Sequence, residues 1–211
     1  MHEVLATISE TKLVPVIKIE KPEDAEPLGR ALIRAGLPIA EITLRTDAAI
    51  ESIRRLSEQL PDLFLGAGTV LTVDQVKAAV DSGAKFIVSP GFNPRVVDYC
   101  VEREIPVTPG INNPTQIEMG LQRGLEVLKF FPAEASGGMA LLKAMSAPYG
   151  GVSFIPTGGI NPSNLASYLS FDRVLACGGS WMVSTELISK GDFDAVVNLC
   201  RQALTLVSKI K

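Results

Sequence analysis

Glu126-Val127-Leu128-Lys129-Phe130-Phe131-Pro132-Ala133-Glu134 is the stretch on which the reading of this chain turns. Read as a strand, it sets one ammonium group in the middle of an apolar run. Burial of an unpaired charge is costly, and a lysine so placed tends to shed its proton. A free lysine amine is a nucleophile toward ketones. The plainer reading is a lysine at a strand end, with its stem on apolar residues and its head in water. The strands on either side decide between the two.

Outward from this stretch, strand-like runs begin near 14, 38, 62, 85, 105, 126, 152 and 173. Each is followed by a helical pattern. Eight strand–helix units at intervals of roughly 20–26 residues predict a single-domain α/β (β/α)8 TIM barrel over 1–211, with an N-terminal helix at 2–10. An open doubly wound sheet has fewer strands and longer units. Helices are expected at 22–36, with Pro27 forcing a late start or a bend, and at 47–59, 137–146 and 193–208. Gly36 should end the first of these. Thr72-Val73-Asp74-Gln75 reads as a capping box. Asn93-Pro94, Asn113-Pro114 and Asn161-Pro162 should each open a helix, asparagine capping and proline presetting φ.

The composition narrows the function. Lys and Arg number 20 against 23 Asp and Glu, a net charge of −3, and the sequence pI is about 5.3. There is no basic block, so neither nucleic acid nor an anionic membrane is expected as a partner. No apolar run reaches the length of a membrane span, and nothing resembles a signal peptide. Cys100, Cys177 and Cys200 are odd in number and form no CxxC, which points to free thiols in a reducing cytoplasm and to no structural zinc. His2 is the only histidine. Proton transfer must therefore fall to carboxylates, lysine, tyrosine or water.

Strands alternate faces. Val127, Lys129 and Phe131 share one face of the sixth strand; Glu41, Thr43 and Arg45 share one face of the second. The polar set should point into the barrel, while Ile42, Leu44, Leu128 and Phe130 pack on helices. Glu41, Arg45, Thr69, Ser89, Thr108, Lys129 and Thr157 all fall at C-terminal strand ends, on the rim where active sites of this fold sit. Singly, each has an ordinary structural role, Glu41–Arg45 as an ion pair and the threonines as caps. Their common position argues for one site. Gly158-Gly159 and Gly178-Gly179-Ser180 follow the seventh and eighth strands, where barrels commonly hold a phosphate on backbone N–H groups. No P-loop or GxGxxG fingerprint is present, so no nucleotide is read. Lys18 competes with Lys129, but Glu20 and Lys21 favour a solvated head there. Lys85 begins its strand and sits at the wrong end.

Taken together these residues resemble the 2-keto-3-deoxy-6-phosphogluconate aldolase family, which also acts as 4-hydroxy-2-oxoglutarate aldolase. The matching segments run in order along almost the whole chain: Val14-Pro15-Val16-Ile17, Glu41-Ile42-Thr43-Leu44-Arg45-Thr46, Gly66-Ala67-Gly68-Thr69-Val70, Ser89-Pro90-Gly91, Lys129-Phe130-Phe131-Pro132-Ala133-Glu134, Pro156-Thr157-Gly158-Gly159-Ile160 and Gly178-Gly179-Ser180-Trp181. The resemblance implies a class I aldolase that needs no metal or cofactor, acts on a keto-acid phosphate, and assembles as a homotrimer. It implies Lys129 as Schiff-base lysine and Glu41 as general acid/base. Arg45 and Thr69 would hold the keto-acid carboxylate, and Phe131 would pack on the pyruvyl part. Pro90 and Thr157 would contact substrate, and Gly158, Gly159, Gly179 and Ser180 would form the phosphate side. Thr157 leans toward the gluconate over the galactonate epimer, since a galactonate-specific relative tends to be apolar there. Two other readings stay open on the residues alone: a phosphosugar isomerase or epimerase, and a non-catalytic phosphometabolite-binding barrel.

Overall fold

A computed structural model describes residues 3–210. His2, the sole histidine, and the first residue of the expected 2–10 helix lie outside the described residues. The elements alternate in chain order: α1 (Glu3–Thr11), β1 (Leu13–Ile17), a 3-10 turn (Pro22–Asp24), α2 (Ala25–Ala35), β2 (Ile39–Thr43), α3 (Ala48–Gln59), β3 (Phe64–Gly68), α4 (Val73–Asp81), β4 (Phe86–Ser89), α5 (Pro94–Glu102), β5 (Val107–Ile111), α6 (Pro114–Leu121), β6 (Val127–Phe130), α7 (Gly138–Ser146), β7 (Ser153–Pro156), α8 (Leu165–Leu169), β8 (Cys177–Gly179), α9 (Thr185–Ser189) and α10 (Phe193–Ser208). The eight strands are parallel, in the order β7-β6-β5-β4-β3-β2-β1-β8. Bridges Phe154–Val174 and Thr157–Gly178 close the ring between β7 and β8. This is the expected (β/α)8 barrel.

The strands are buried almost throughout because helices cover one face and the barrel interior the other. Ile42, Leu128 and Phe130 are fully buried on the helix side, each such side chain stabilising the fold by roughly 1.5–3 kcal/mol. Inside, Val14, Phe86, Val88 and Ile155 form the layer beneath the mouth, and Ile8 of α1 reaches it from below. The barrel is thus a packed core with an open top.

Local signals explain most helix starts. Thr72 and Gln75 form the reciprocal capping box. Asn93 and Asn113 cap α5 and α6, each followed by proline at the first helical position. Of the two effects expected of Pro27, the late start is the one seen: Pro22–Asp24 form a 3-10 turn and the regular helix opens close to Pro27. The helix begins at Ala25, so Pro27 falls in the first turn, where backbone N–H groups have no intrahelical partner to lose. Gly36, at φ +83°, ends it.

The boundaries of four elements differ from expectation. Asn161 accepts a hydrogen bond from the Ser163 N–H (2.9 Å), but the regular helix waits until Leu165, so the third Asn-Pro opens a turn rather than a helix. β8 is Cys177–Gly179, not 173–177; Val174 contributes only a bridge. In β3 and β5 the strand runs on through Gly66, Gly68, Pro109 and Gly110. Glycine and proline argue against a strand interior in isolation, yet here a neighbour occupies the space a Cβ would take: Pro90 O would lie 2.1 Å from a Cβ on Gly110.

Cys100, Cys177 and Cys200 are free and buried. Burial pushes the Cys100 thiol up to about 11 and the Cys200 thiol up to about 12, from an ordinary value of 9.0, and raises Cys177 further. The folded chain therefore holds these protons to higher pH than the unfolded chain. Their contribution to stability is full below about pH 9 and declines as pH rises toward 11–12, because unfolding then releases protons. Denaturant unfolding between pH 7 and pH 10.5 should show a falling midpoint only above about pH 9. Cys200→Ala should flatten that fall, and the native protein should resist a thiol reagent at pH 8 until unfolded.

Candidate active site

β2 and β6 have three strands between them in either direction round the ring, so their inward side chains face each other across the mouth. Lys129, third in β6, places Nζ 3.3 Å from Glu41 Oε1 on β2. The lysine is 5% exposed and the glutamate 3%. The expectation of an unpaired ammonium among apolar neighbours is therefore wrong. The apolar walls are present, but the amine has a carboxylate partner 88 residues away in sequence. Glu41 does not pair with Arg45, as the structural reading of β2 would have had it.

The Glu41 carboxylate fits because its neighbour on β3 is glycine. A Cβ on Gly68 would lie 2.2 Å from Glu41 Oε1 and 2.7 Å from its Cγ. The glycine thus holds open the space from which the carboxylate reaches Lys129. Immediately beyond, Thr69 adopts φ +57°, a left-handed conformation that is an outlier for a β-branched residue and costs of order 1–3 kcal/mol. It is held by its flanks: Leu44 N–H donates to Gly68 O (2.8 Å), and Val70 N–H donates to Val88 O (3.1 Å).

Arg45 stands on the exposed rim. Its Nε–H donates to Thr43 Oγ1 (3.0 Å), and Thr43 Oγ1 donates to the Ile17 carbonyl (2.7 Å). Among the described residues Arg45 has no carboxylate partner. An exposed arginine beside a cavity, without a counter-ion, is suited to a carboxylate or phosphate ligand.

The opposite wall is built by the loops after β6, β7 and β8. Phe131 follows β6, and its ring centroid lies 5.3 Å from Lys129 Nζ. Gly158 and Gly159 take φ +98° and +84°, which lets the chain turn sharply over the mouth. The turn is tied to the β6 loop by Ala133 N–H to Thr157 O (2.8 Å) and Glu134 N–H to Gly158 O (3.0 Å). The buried Tyr168 hydroxyl donates to Glu134 and anchors the assembly from behind. Burial and the Glu134 carboxylate both raise the Tyr168 phenol above its ordinary value, so it keeps its proton and stays a donor.

Glu41, Arg45, Thr69, Pro90, Lys129, Phe131, Thr157, Gly158, Gly159, Gly179 and Ser180 all line one cavity of about 190 Å³. Every residue to which the family resemblance gives a role is therefore brought together, whereas Ser89 and Thr108 are not in the lining. Val16, Thr43, Ile160 and Gly178 join them. Of these, Thr43 had a signal in its parity with Glu41 and Arg45. Ser89 is turned to the Gly91 carbonyl (2.8 Å), and Thr108 lies in the layer below. Lys18 pairs with Glu20 at 2.6 Å and is 37% exposed, away from the cavity.

An amine and a carboxylate buried together at the catalytic end of a (β/α)8 barrel are the layout of an imine-forming carbon–carbon lyase. Sequence comparison gives the particular group: the chain belongs to the KDPG and KHG aldolase family, whose pattern matches residues 4–199. A 2-dehydro-3-deoxy-phosphogluconate aldolase of Treponema pallidum is 48% identical, covering 98% of this chain and 99% of the relative. A KDPG aldolase of Legionella pneumophila, solved with pyruvate captured at low pH as a covalent carbinolamine intermediate, superposes with a TM-score of 0.92 at 39% identity, covering 95% of this chain and 97% of its own. The Zymomonas mobilis 2-keto-3-deoxy-6-phosphogluconate aldolase with 3-phosphoglycerate gives 0.91 at 35% identity, over 100% and 97%.

Gly68→Ala should displace the Glu41 carboxylate while leaving the barrel folded. Aldolase turnover should fall roughly 10–100-fold, with an unchanged far-ultraviolet circular dichroism spectrum. Wild-type turnover would show that the close approach of Gly68 does not set the position of Glu41.

Proposed function

We propose that this chain is a class I aldolase cleaving 2-keto-3-deoxy-6-phosphogluconate to pyruvate and glyceraldehyde 3-phosphate, and also 4-hydroxy-2-oxoglutarate to pyruvate and glyoxylate. The observation that carries the reading is the buried Lys129–Glu41 pair at 3.3 Å. One member supplies a nucleophile and the other can take its proton.

The geometry supports an imine mechanism. Glu41 accepts a proton from Lys129, and the free amine attacks the C2 ketone. Glu41 returns that proton to the carbinolamine hydroxyl, which leaves as water to give an iminium and restores the carboxylate. The C4 hydroxyl gives its proton to Glu41, directly or through water, and the C3–C4 electron pair flows into the iminium. The aldehyde departs and an enamine remains. Protonation at C3 restores the iminium, and water hydrolyses it to pyruvate and free Lys129. Glu41 serves each proton transfer because its carboxylate lies beside the nitrogen through which the electrons pass.

Arg45 and Thr69 hold the keto-acid carboxylate, and Phe131 and Pro90 flank the pyruvyl carbons. Thr157, Gly158, Gly159, Gly179 and Ser180 receive the phosphate, which glycine lets approach the backbone closely. The Thr157 hydroxyl and the gluconate-type relatives at 48% and 39% identity support the gluconate epimer. The three buried free thiols support a cytoplasmic setting. Among the described residues no helix is long and apolar enough to cross a membrane. A homotrimer is proposed from the family resemblance, a closed ring of three being an ordinary symmetry.

Borohydride reduction with pyruvate, followed by peptide mapping, tests the reading. A single adduct should map to Lys129, and Lys129→Ala should lose both the adduct and turnover. An adduct on Lys18, or an active enzyme that forms none, would refute it; the latter result would favour an isomerase or epimerase. A trapped adduct with no release of pyruvate from the phosphosugar acid would favour a binding protein. Arg45→Lys should weaken substrate binding by about tenfold or more, because an ammonium cannot make the two parallel bonds of a guanidinium.

A further inference from the structure

We infer that Thr43 is the positioning residue for the carboxylate-binding arginine, and that it sets which edge of the Arg45 guanidinium the substrate meets. The inference rests on the proposed role of Arg45 and extends it. Thr43 is buried, yet its hydroxyl sits between two polar groups. It has one proton, which goes to the Ile17 carbonyl at 2.7 Å. Its lone pairs are left to accept, and Arg45 Nε–H supplies the bond at 3.0 Å. The direction of both bonds is forced, since a carbonyl cannot donate and a guanidinium cannot accept.

Two consequences follow. First, Arg45 is on the exposed rim, where a long side chain would otherwise sample many rotamers and lose that freedom on binding. The Thr43 bond removes part of the cost before substrate arrives. Second, with Nε engaged, the substrate carboxylate meets the guanidinium end-on, through the two Nη groups. The side-on approach through Nε and one Nη is blocked. The anchor is itself fixed: Ile17 is the last residue of β1, hydrogen-bonded in register with Ile42. The chain Ile17 O–Thr43 Oγ1–Arg45 Nε therefore transmits the rigidity of β1 and β2 to an otherwise free rim cation.

The test measures the pyruvate concentration that gives half-maximal borohydride trapping at Lys129. Thr43→Val keeps the shape of the side chain and removes the hydroxyl. It should raise the half-saturating concentration by roughly five- to tenfold, the worth of one lost hydrogen bond, with the plateau of trapping unchanged. Thr43→Ser keeps the hydroxyl and should restore the wild-type value. In an Arg45→Ala background, Thr43→Val should add nothing, since its effect passes through the arginine. A wild-type value for Thr43→Val, no rescue by serine, or a full additional loss in the Arg45→Ala background would overturn the inference while leaving the aldolase reading standing. Absence of any trapping in the wild-type protein would overturn both.

Discussion

One contact organises this molecule: the Lys129 amine nitrogen and the Glu41 carboxyl group held 3.3 Å apart inside a barrel mouth, both nearly out of water. Neither group could be buried alone without several kcal/mol of desolvation cost. Together they satisfy each other, and among the described residues no buried side-chain nitrogen or oxygen lacks a partner. Such a pair contributes little net stability compared with an apolar core. Its persistence makes sense through chemistry, because the proton between the two groups is the one an imine-forming reaction must move.

The barrel exists to hold that contact in place. Opposite strands set the distance, and the layer of Val14, Phe86, Val88 and Ile155 forms the floor. Gly68 leaves room for the carboxylate, and Thr69, with its strained backbone, lines the mouth beside it. On the far wall, the Gly158–Gly159 turn is pinned to the β6 loop, and that loop is pinned by Tyr168 through Glu134. The polar network is thus arranged in two halves. One holds Lys129, Glu41 and Arg45; the other shapes the glycine-lined wall opposite.

Much of this is legible in the sequence. Strand spacing gave the barrel, and the polar parity of Glu41, Thr43 and Arg45 marked the inward face of β2. The Asn-Pro pairs at 93 and 113 and the capping box at Thr72 announced helix starts, since those signals are local and act through a few backbone N–H groups. What could not be read was tertiary. Glu41 and Lys129 lie far apart in sequence, so the lysine looked unpaired. Glycines at 66, 68 and 110 give no local signal for a strand interior, because the neighbours filling their Cβ positions come from other strands and loops. The left-handed Thr69 had no sequence signal at all, because a β-branched residue predicts the opposite conformation.

Exchange of the pyruvate methyl protons in deuterated water tests the pairing of Lys129 with Glu41 most directly, since it needs imine, enamine and proton transfer but no aldehyde. The wild-type protein should exchange the methyl group. Lys129→Ala should not, and Glu41→Gln should exchange at least about 100-fold more slowly while still forming the imine at a reduced rate. Undiminished exchange in Glu41→Gln would contradict the role assigned to the carboxylate, and exchange surviving in Lys129→Ala would contradict the role assigned to the amine.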